Sequence, residues 1–253
     1  KKITHEVLIR LKKAKEKQVL YIHFTMDDNP SLSQSVKDRY KSLYSGAFYE
    51  RFIEGKWVTA QGLVYPMFSP ERHIKKCKGK FNRFYLSCDY GTVNPFSLGL
   101  WGECDGKWFR LDEYYYSGRD NGIQLTDEEY YRELEKLAEN REITALIIDP
   151  SAASFIQTVL RHGKFRVIKA NNDVLTGINR VCQALKDEEI FIYPSCTDAI
   201  REFSIYRWDD NIKKDAVKKE NDHAMDDIRY FVATVLGREN QNSSFASVAI
   251  ERN

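Results

Sequence analysis

The spacing of apolar and polar positions predicts a regular α/β domain from Asn82 onward. Six short apolar runs bounded by turn residues are typical of strands: Arg83–Cys88, Phe96–Gly102, Lys107–Tyr115, Thr144–Ile148, Phe165–Lys169 and Ile190–Tyr193. Five stretches have helical spacing: Thr126–Asn140, Ala153–Arg161, Val174–Lys186, Thr197–Tyr206 and Asp222–Leu236. Because three consecutive strands precede strands that alternate with helices, we expect a central mixed β-sheet flanked by helices.

Local motifs support these elements. Asp105-Gly106 lies between two predicted strands and is typical of a hairpin turn. Thr126, with Glu129 three residues later, predicts a capping box at the start of a helix. The polar stretch Tyr206–Lys219 predicts a second hairpin.

The residues before Phe81 show no comparable regularity. Lys1–Lys17 is basic and helix-prone, Val19–Phe24 is strand-like, and Leu32–Leu43 predicts a helix that Ser31 or Ser33 can cap. Small aromatic-rich pieces follow, and we expect them to pack against a larger neighbour. The pattern predicts an extension over residues 1–80, a regular domain over 81–238 and a mobile tail over 239–253.

Composition and charge exclude several classes of protein. With 253 residues, 42% hydrophobic and 30% charged, the chain resembles an ordinary globular protein. A net charge of +2 means that any polyanion must be met by local basic patches. Five scattered cysteines without a C-x-x-C pair favour reduced thiols over a disulfide framework or a zinc site. No apolar run has membrane-spanning length, and the Lys-rich start lacks a signal-peptide core.

Two acids follow predicted strands directly. Asp89 comes after the first strand and Asp149 after the fourth. Ligands gather beyond the carboxyl ends of strands in open sheets, so neighbouring strands would place these carboxylates side by side. Such like charges raise a pKa or require a cation. The alternative for Asp89, in its Asp-x-Gly motif, is a turn acid that hydrogen-bonds its own backbone.

The start of the last helix adds a third candidate group. His223 precedes Asp226 by three residues and Asp227 by four, so either acid can share a helix side with the histidine. Acids here can also simply stabilise the helix dipole. Hard oxygen ligands favour Mg²⁺ or Mn²⁺ over zinc, and two such ions would support phosphodiester hydrolysis.

Four motifs occur in order along the chain: Asp89-Tyr90-Gly91-Thr92-x-Asn94-Pro95, Ile148-Asp149-Pro150-Ser151-Ala152, Asn172-Asp173-Val174-Leu175-x-Gly177-Ile178 and Asn221-Asp222-His223-Ala224-Met225-Asp226-x-Ile228-Arg229-Tyr230. Together they resemble the nuclease domain of the large terminase subunit of tailed bacteriophages. The resemblance implies an RNase H-like fold and a metal-dependent endonuclease that cuts concatemeric viral DNA during genome packaging. It also implies that Asp89, Asp149 and Asp226 bind two Mg²⁺ or Mn²⁺ ions, with His223 as an accessory group or ligand.

The resemblance carries further expectations about partners and organisation. It implies double-stranded DNA, a portal protein and a small terminase subunit as partners, in the cytoplasm of the host cell. Residues 1–80 would then join an ATPase to the nuclease. The chain contains no G-x-x-x-x-G-K-[ST] phosphate loop, so we expect no ATP hydrolysis by it.

Some assignments stay open at this level. Ala224, Ile228 and Phe231 define the core face of the last helix, and helical periodicity places Asp227 nearer that face than Asp226. Periodicity therefore favours Asp227 as the inward acid, whereas the motif favours Asp226 as the ligand.

Other polar residues are candidates for supporting roles. Asp112 and Glu113, at a strand end, are expected to support the site without binding metal. Lysines flanking the second predicted hairpin would grip the DNA backbone or merely solubilise the loop: Lys213, Lys214, Lys218 and Lys219. Two other functions remain compatible with the sequence, namely a resolvase-like nuclease acting on Holliday junctions and a catalytically silent docking module of the packaging motor.

Overall fold

The structure, a computed structural model, describes residues 24–44, 46–56, 61–209, 211 and 215–237. The chain divides into two compact units, residues 1–60 and 61–253. The predicted helix Lys1–Lys17 and the predicted tail lie outside the described residues, as does all of the strand-like run before Phe24. Over the described part of the chain, no helix combines the length and the apolarity needed to cross a membrane.

The first unit contains two helices, α1 at Gln34–Ser42 and α2 at Gly46–Phe52, after a 3₁₀ turn at Met26–Asp28. Ser33 caps α1, because its hydroxyl accepts a hydrogen bond from the Val36 N–H at 3.4 Å. The predicted helix and one of its two candidate caps are therefore confirmed.

The second unit begins earlier than the sequence pattern indicated. Residues 61–80 include the short helix α3, Pro70–His73, and pack with the sheet domain rather than standing apart from it. The Val64 N–H donates to the Tyr206 carbonyl at 3.0 Å, and Ile74 pairs with Ile192. Buried Tyr65 lies edge-on to Phe203, with ring centroids 5.5 Å apart. The aromatic piece around Tyr65 thus packs against a larger neighbour, as expected, whereas Phe52 is 58% exposed and Trp57 lies outside the described residues.

A six-stranded mixed sheet forms the centre of the second unit. Its strands are β1 Arg83–Asp89, β2 Phe96–Cys104, β3 Lys107–Tyr116, β4 Ile143–Ile148, β5 Val167–Lys169 and β6 Ile190–Ile192. Their spatial order is β5-β4-β1-β2-β3-β6. Strands β1, β2 and β3 form an antiparallel meander, β4 and β5 extend it in parallel to β1, and β6 runs parallel to β3. All six predicted strands are confirmed, with ends shifted by one or two residues.

Helices cover both faces of this sheet. They are α4 Gly118–Asn121, α5 Asp127–Ala138, α6 Ala153–His162, α7 Val174–Lys186, α8 Thr197–Ile205 and α9 His223–Phe231. Helices α5 and α6 bury an apolar cluster with one face of the sheet, in which Leu86, Leu98, Leu134 and Phe155 are almost fully buried. Helix α9 packs on the opposite face, against β1 and β2, and contacts α7 and α8.

The predicted turn and cap chemistry is present. Asp105 and Gly106 adopt φ values of 53° and 72°, the left-handed conformation that a two-residue hairpin turn needs. The Thr126 hydroxyl accepts from the Glu129 N–H at 3.3 Å, and the Glu129 carboxylate accepts from the Thr126 N–H at 2.7 Å. In the second predicted hairpin, Trp208 pairs with Val217, while its tip lies outside the described residues.

The cysteines depart from the expectation of reduced thiols. Cys77 and Cys104 form a disulfide, with Cα atoms 6.8 Å apart. Cys88, Cys182 and Cys196 are free and buried. The expectation of reduced thiols was wrong for this pair because the pairing depends on where the segment before β1 lies relative to the end of β2. The spacing of the cysteines along the sequence does not reveal that position.

Aromatic stacking fixes α9 on the sheet. The Phe231 ring is fully buried and stacks on Trp101, with centroids 4.1 Å apart and planes 6° from parallel. It also meets the edges of Tyr85 and Trp108. Such a cluster contributes both buried apolar area and specific ring geometry.

We therefore expect Phe231→Ala to lower the free energy of unfolding by about 3–5 kcal/mol, because it opens a cavity between α9 and the sheet. Denaturant unfolding followed by tryptophan fluorescence would measure this. The control is Leu160→Ala, at a side chain that is 51% exposed, and it should change stability little. Equal losses for the two variants would contradict the packing role of Phe231.

Candidate active site

The ends of β1 and β4 place two acids on the same face of the sheet. In this parallel pair Cys88 lies opposite Ile148, and both side chains belong to the apolar cluster under α5 and α6. Successive side chains of a strand point to opposite faces, so the next residues, Asp89 and Asp149, project toward the face that α9 covers. This arrangement is the one that the sequence analysis expected of neighbouring strands.

Asp89 is paired with the first residue of α9. His223 Nδ1 lies 2.8 Å from Asp89 Oδ2, and 17% of each side chain is exposed. Burial raises the pKa of Asp89 to about 6, against the lowering effect of His223, and the nearby Asp226 carboxylate raises it further. Burial alone would lower the pKa of His223, but the hydrogen bond and charge of Asp89 raise it overall. Asp89 and His223 therefore stabilise each other's charged forms against the cost of burial.

Asp226 lies one turn along the same helix and is held by two cations. Its Oδ1 accepts from Arg229 Nη2 at 2.9 Å, and its Oδ2 lies 3.4 Å from Lys219 Nζ. Lys219 Nζ is also 3.3 Å from Asp222 Oδ2, so this mostly exposed lysine bridges two carboxylates. Positive side chains thus offset the negative charge at this end of α9.

Asp149 has its own set of partners. One oxygen accepts from the Ser151 N–H at 2.7 Å, and the other accepts from Asn172 Nδ2 at 3.3 Å. Burial would raise the pKa of Asp149, but the hydrogen bonds from Ser151, Asn172 and Tyr230 lower it overall. Asp149 is therefore held in its charged form.

Tyr230 is a residue of the site that sequence reasoning missed. Its hydroxyl hydrogen-bonds Asp149, and burial followed by the charges of Asp89 and Asp226 raises its pKa. Tyr230 thus lies among all three acids. The sequence did contain a sign of this, because Tyr230 follows Asp226 by four residues and so shares its side of α9.

Asp227 points away from these groups into the interior. It is fully buried, accepts from Arg110 Nη2 at 2.6 Å and from Ser97 Oγ at 2.9 Å, and is hydrogen-bonded by Ser87. Helical periodicity had placed Asp227 nearer the core, and the structure has it there. Both its carboxylate oxygens are engaged in the packing of α9, so the structure does not place Asp227 with the candidate ligands.

The acidic groups open into a cleft of about 430 Å³. Its lining residues are Asp89, Tyr90, Gly91, Thr92, Val93, Asn94, Lys219, Asp222, His223 and Asp226. Carboxylate oxygens suit a hard divalent cation, and the raised pKa of Asp89 reflects the cost of its buried charge, which a cation would offset. Asp149 does not line this cleft, and within the described residues no three His, Cys, Asp or Glu side chains are placed to hold a metal ion. The donor atoms of Asp89 and Asp226 are thus of the type that a divalent metal prefers, but as placed in the described residues they do not form a three-ligand site.

The predicted DNA-contacting lysines divide into two groups. Lys218 and Lys219 lie just before α9, and Lys219 reaches the cleft. Lys213 and Lys214 lie outside the described residues.

Two buried glutamates act as caps near the site. Glu113 on β3 accepts from the Asp198 N–H at 2.7 Å, at the start of α8. It also receives a hydrogen bond from Arg110 at 3.3 Å, so it supports the neighbourhood of the site, whereas Asp112 is exposed.

Glu202 on α8 accepts from the Ala224 N–H at 2.8 Å, at the start of α9. Burial raises the pKa of Glu202 to about 7. Sequence reasoning missed Glu202, because its partners are backbone groups of a distant helix.

Comparisons with known proteins identify what the chain resembles. No protein-family profile matches it. The large terminase of the thermophilic bacteriophage D6E is 46% identical, with a TM-score of 0.80 over 91% of this chain and 58% of that one. The large terminase subunit of Escherichia phage T5 is 20% identical over 229 residues, which are 85% of this chain and 51% of that protein. The chain thus spans between half and three-fifths of the length of these relatives.

A more distant solved structure shares the fold alone. It is the large terminase nuclease of thermophilic phage G20c with bound magnesium, at 9% identity and a TM-score of 0.51 over 68% of this chain and 97% of that one. The order of the six strands agrees with the RNase H-like fold of terminase nucleases. This chain is therefore similar in sequence to bacteriophage large terminases, and its sheet domain has the RNase H-like fold of large-terminase nuclease domains.

Proposed function

We propose that the chain is a divalent-metal-dependent endonuclease that cuts double-stranded viral DNA during genome packaging, with little sequence specificity. One observation carries this proposal. Asp89 and Asp149 end adjacent parallel strands and project toward α9, which brings His223 and Asp226 to the same edge of the sheet. Its similarity to the D6E and T5 large terminases supports the packaging role, with the portal protein and small terminase subunit as proposed partners.

Asp89, Asp149 and Asp226 would hold the metal, with His223 beside them. When bound, two Mg²⁺ or Mn²⁺ ions would supply an activated water and stabilise the leaving 3′-oxygen of the phosphodiester. The magnesium bound in the G20c nuclease, which shares this fold, supports the choice of a hard divalent cation. Asp89, which pairs with His223 and lies near Asp226, would be the shared ligand of the proposed metal site.

The chain's own side chains would orient the substrate. Asp89 holds His223 through Nδ1, which leaves Nε2, 3.8 Å from Asp222 Oδ1, to hydrogen-bond a water or a phosphate oxygen. Tyr230 would keep Asp149 in place through its hydroxyl. Lys213, Lys214, Lys218 and Lys219 would contact DNA phosphates, which position the duplex without reading its sequence.

We expect Asp89→Asn to reduce Mn²⁺-dependent cleavage of supercoiled plasmid by roughly 100-fold or more, because it removes the charge of the shared ligand. The matched control is Asp105→Asn in the hairpin turn, where φ is 53° and asparagine is well tolerated. Cleavage rates from gel time courses would test this. A fully active Asp89→Asn variant with the circular-dichroism spectrum of the parent would contradict the assignment and favour another site.

Metal removal gives a test that does not depend on activity. Mn²⁺ at about 100 times its dissociation constant should add about 2.7 kcal/mol to the stability of the folded chain. For a domain of this size we therefore expect the melting temperature to rise by several degrees, and EDTA to reverse the rise. Asp89→Asn should abolish the shift. If the parent chain neither gains stability from Mn²⁺ nor cuts DNA, the docking-module alternative is favoured.

Charge reversal tests the proposed DNA contacts. Replacing Lys213 and Lys214 together by Glu should weaken DNA binding and reduce the slope of log K against log salt by roughly 1.8, about 0.9 for each lost phosphate contact. Fluorescence anisotropy with a labelled duplex in EDTA would measure the slope. Lys136→Glu on α5, on the opposite face of the sheet from α9, is the control. An unchanged slope would exclude these lysines from the DNA path.

A further inference from the structure

We propose that Glu202 is a positioning residue that sets the orientation of the first turn of α9, and thereby places His223 and Asp226 at the cleft. The inference rests on the proposed function for its catalytic consequence. Glu202 lies on α8, is fully buried, does not line the cleft and donates or accepts no hydrogen bond with the candidate ligands among the described residues, although its charge adds to the raised pKa of His223. Its hydrogen bonds act through the backbone of α9.

The contacts of Glu202 are directed at one helix end. Its Oε2 accepts from the Ala224 N–H at 2.8 Å and from the Met225 N–H at 3.3 Å. The other oxygen, Oε1, accepts from the Tyr115 hydroxyl at 2.7 Å and lies 3.5 Å from Arg201 Nη2. Both oxygens are thus satisfied, and a buried carboxylate with such partners is held in a single orientation.

Helix α9 needs a cap from outside its own sequence. The first N–H groups of a helix have no partner within the helix, and a Ser, Thr, Asp or Asn at the N-cap position normally supplies one. Asp222 occupies that position but makes no side-chain cap hydrogen bond. Its carboxylate is instead paired with Lys219 at 3.3 Å. Glu202 therefore supplies from α8 the acceptor that the N-cap residue does not.

The capped residues lie between the two functional ones. Ala224 and Met225 separate His223 from Asp226, so fixing their N–H groups fixes the direction in which both neighbouring side chains leave the helix. Loss of the cap would let this turn fray, and a shift of about 1 Å at a reacting group is enough to impair a site.

Glu202 is itself anchored to the sheet. Tyr115, which binds Oε1, belongs to β3, and Glu113 on the same strand caps the start of α8. Two buried glutamates therefore link β3 to α8 and α8 to α9 in series. Neither link passes through a cleft residue, so they can be altered without removing a candidate metal ligand.

The test compares Glu202→Gln with a cap variant elsewhere. Above the pKa of Glu202, about 7, the carboxylate is charged; glutamine keeps the size of the side chain and one acceptor oxygen but loses the charge that strengthens both N–H bonds, so the comparison is made at pH 8 or higher. We expect the Mn²⁺ dissociation constant from titration calorimetry to rise, and kcat for DNA cleavage to fall, each about 10-fold or more, with KM within about twofold of the parent. Thr126→Ala, which removes the cap of α5, should lower the melting temperature without changing metal affinity or kcat.

Amide hydrogen exchange gives a readout that does not need metal. In Glu202→Gln, the Ala224 and Met225 amides should exchange at least about 10-fold faster, while Thr126→Ala leaves them unchanged. If the parent chain binds no Mn²⁺, the proposed function fails, and the exchange rates alone then decide the role of Glu202. Should Glu202→Gln not fold, Tyr115→Phe removes the hydroxyl that binds Oε1 and Arg201, and should show the same effects at a smaller size.

Two results would overturn the inference. One is a folded Glu202→Gln protein whose exchange at Ala224 and Met225 matches that of the parent. The other is a Glu202→Gln protein that, like Thr126→Ala, loses thermal stability while its metal affinity and kcat stay unchanged. Either would make Glu202 a purely structural residue.

Discussion

The buried ion pair between Arg110 and Asp227 is the interaction on which the arrangement of the site depends. Both side chains are fully buried, and their closest atoms are 2.6 Å apart. Burying two charges costs several kcal/mol each unless further hydrogen bonds complete the pair. Ser87, Ser97 and Glu113 provide such bonds from three strands at once, although Arg110 Nη1 has no hydrogen-bond partner among the described residues. This requirement allows α9 only one rotation on the sheet.

Residues of β1 and β2 leave room for the Arg110–Asp227 ion pair and support it. A Cβ at Gly99 would overlap the guanidinium of Arg110, so this position leaves room for the arginine across β2. The Trp101 indole N–H donates to Ser87 at 2.8 Å, and its ring supports Phe231. Apolar packing and the ion pair thus impose the same rotation on α9.

Two adjacent aspartates illustrate how one helix serves both stability and function. Asp227 faces the sheet and has a buried arginine, whereas Asp226 faces the cleft edge and has Arg229 and the mostly exposed Lys219. A helix turns about 100° per residue, so consecutive acids necessarily leave it in different directions. The rotation that Asp227 imposes is the one that presents Asp226 to Asp89 and His223.

The sequence predicts well the structural features that depend on residues close together along the chain. The six strands, the hairpin at Asp105-Gly106 and the capping box at Thr126 follow from spacing, turn chemistry and local hydrogen bonds. That Asp89 and Asp149 come at the ends of neighbouring strands also agrees with the sequence, since β1 and β4 pair in parallel. The sequence does not predict contacts between distant residues, because only the register and packing of the sheet bring them together. Three such contacts join residues 22 to 117 positions apart: the disulfide of Cys104, the ion pair of Asp227 with Arg110, and the cap that Glu202 provides. The regular helix expected over Asp222–Leu236 also changes to a π-helical turn at Val232–Leu236, where the Thr234 hydroxyl accepts from the Asn171 N–H at 3.0 Å.

The pairing of β1 with β4 has a consequence for folding. A slip of one residue between these strands would turn Asp149 to the opposite side of the sheet, and the strands are joined only after the long excursion through β2, β3 and α5. Non-local pairings of this kind close late, because chain entropy must be lost before they form. The candidate site would therefore form with the last long-range contacts, so a half-folded nascent chain would lack the proposed cleavage activity.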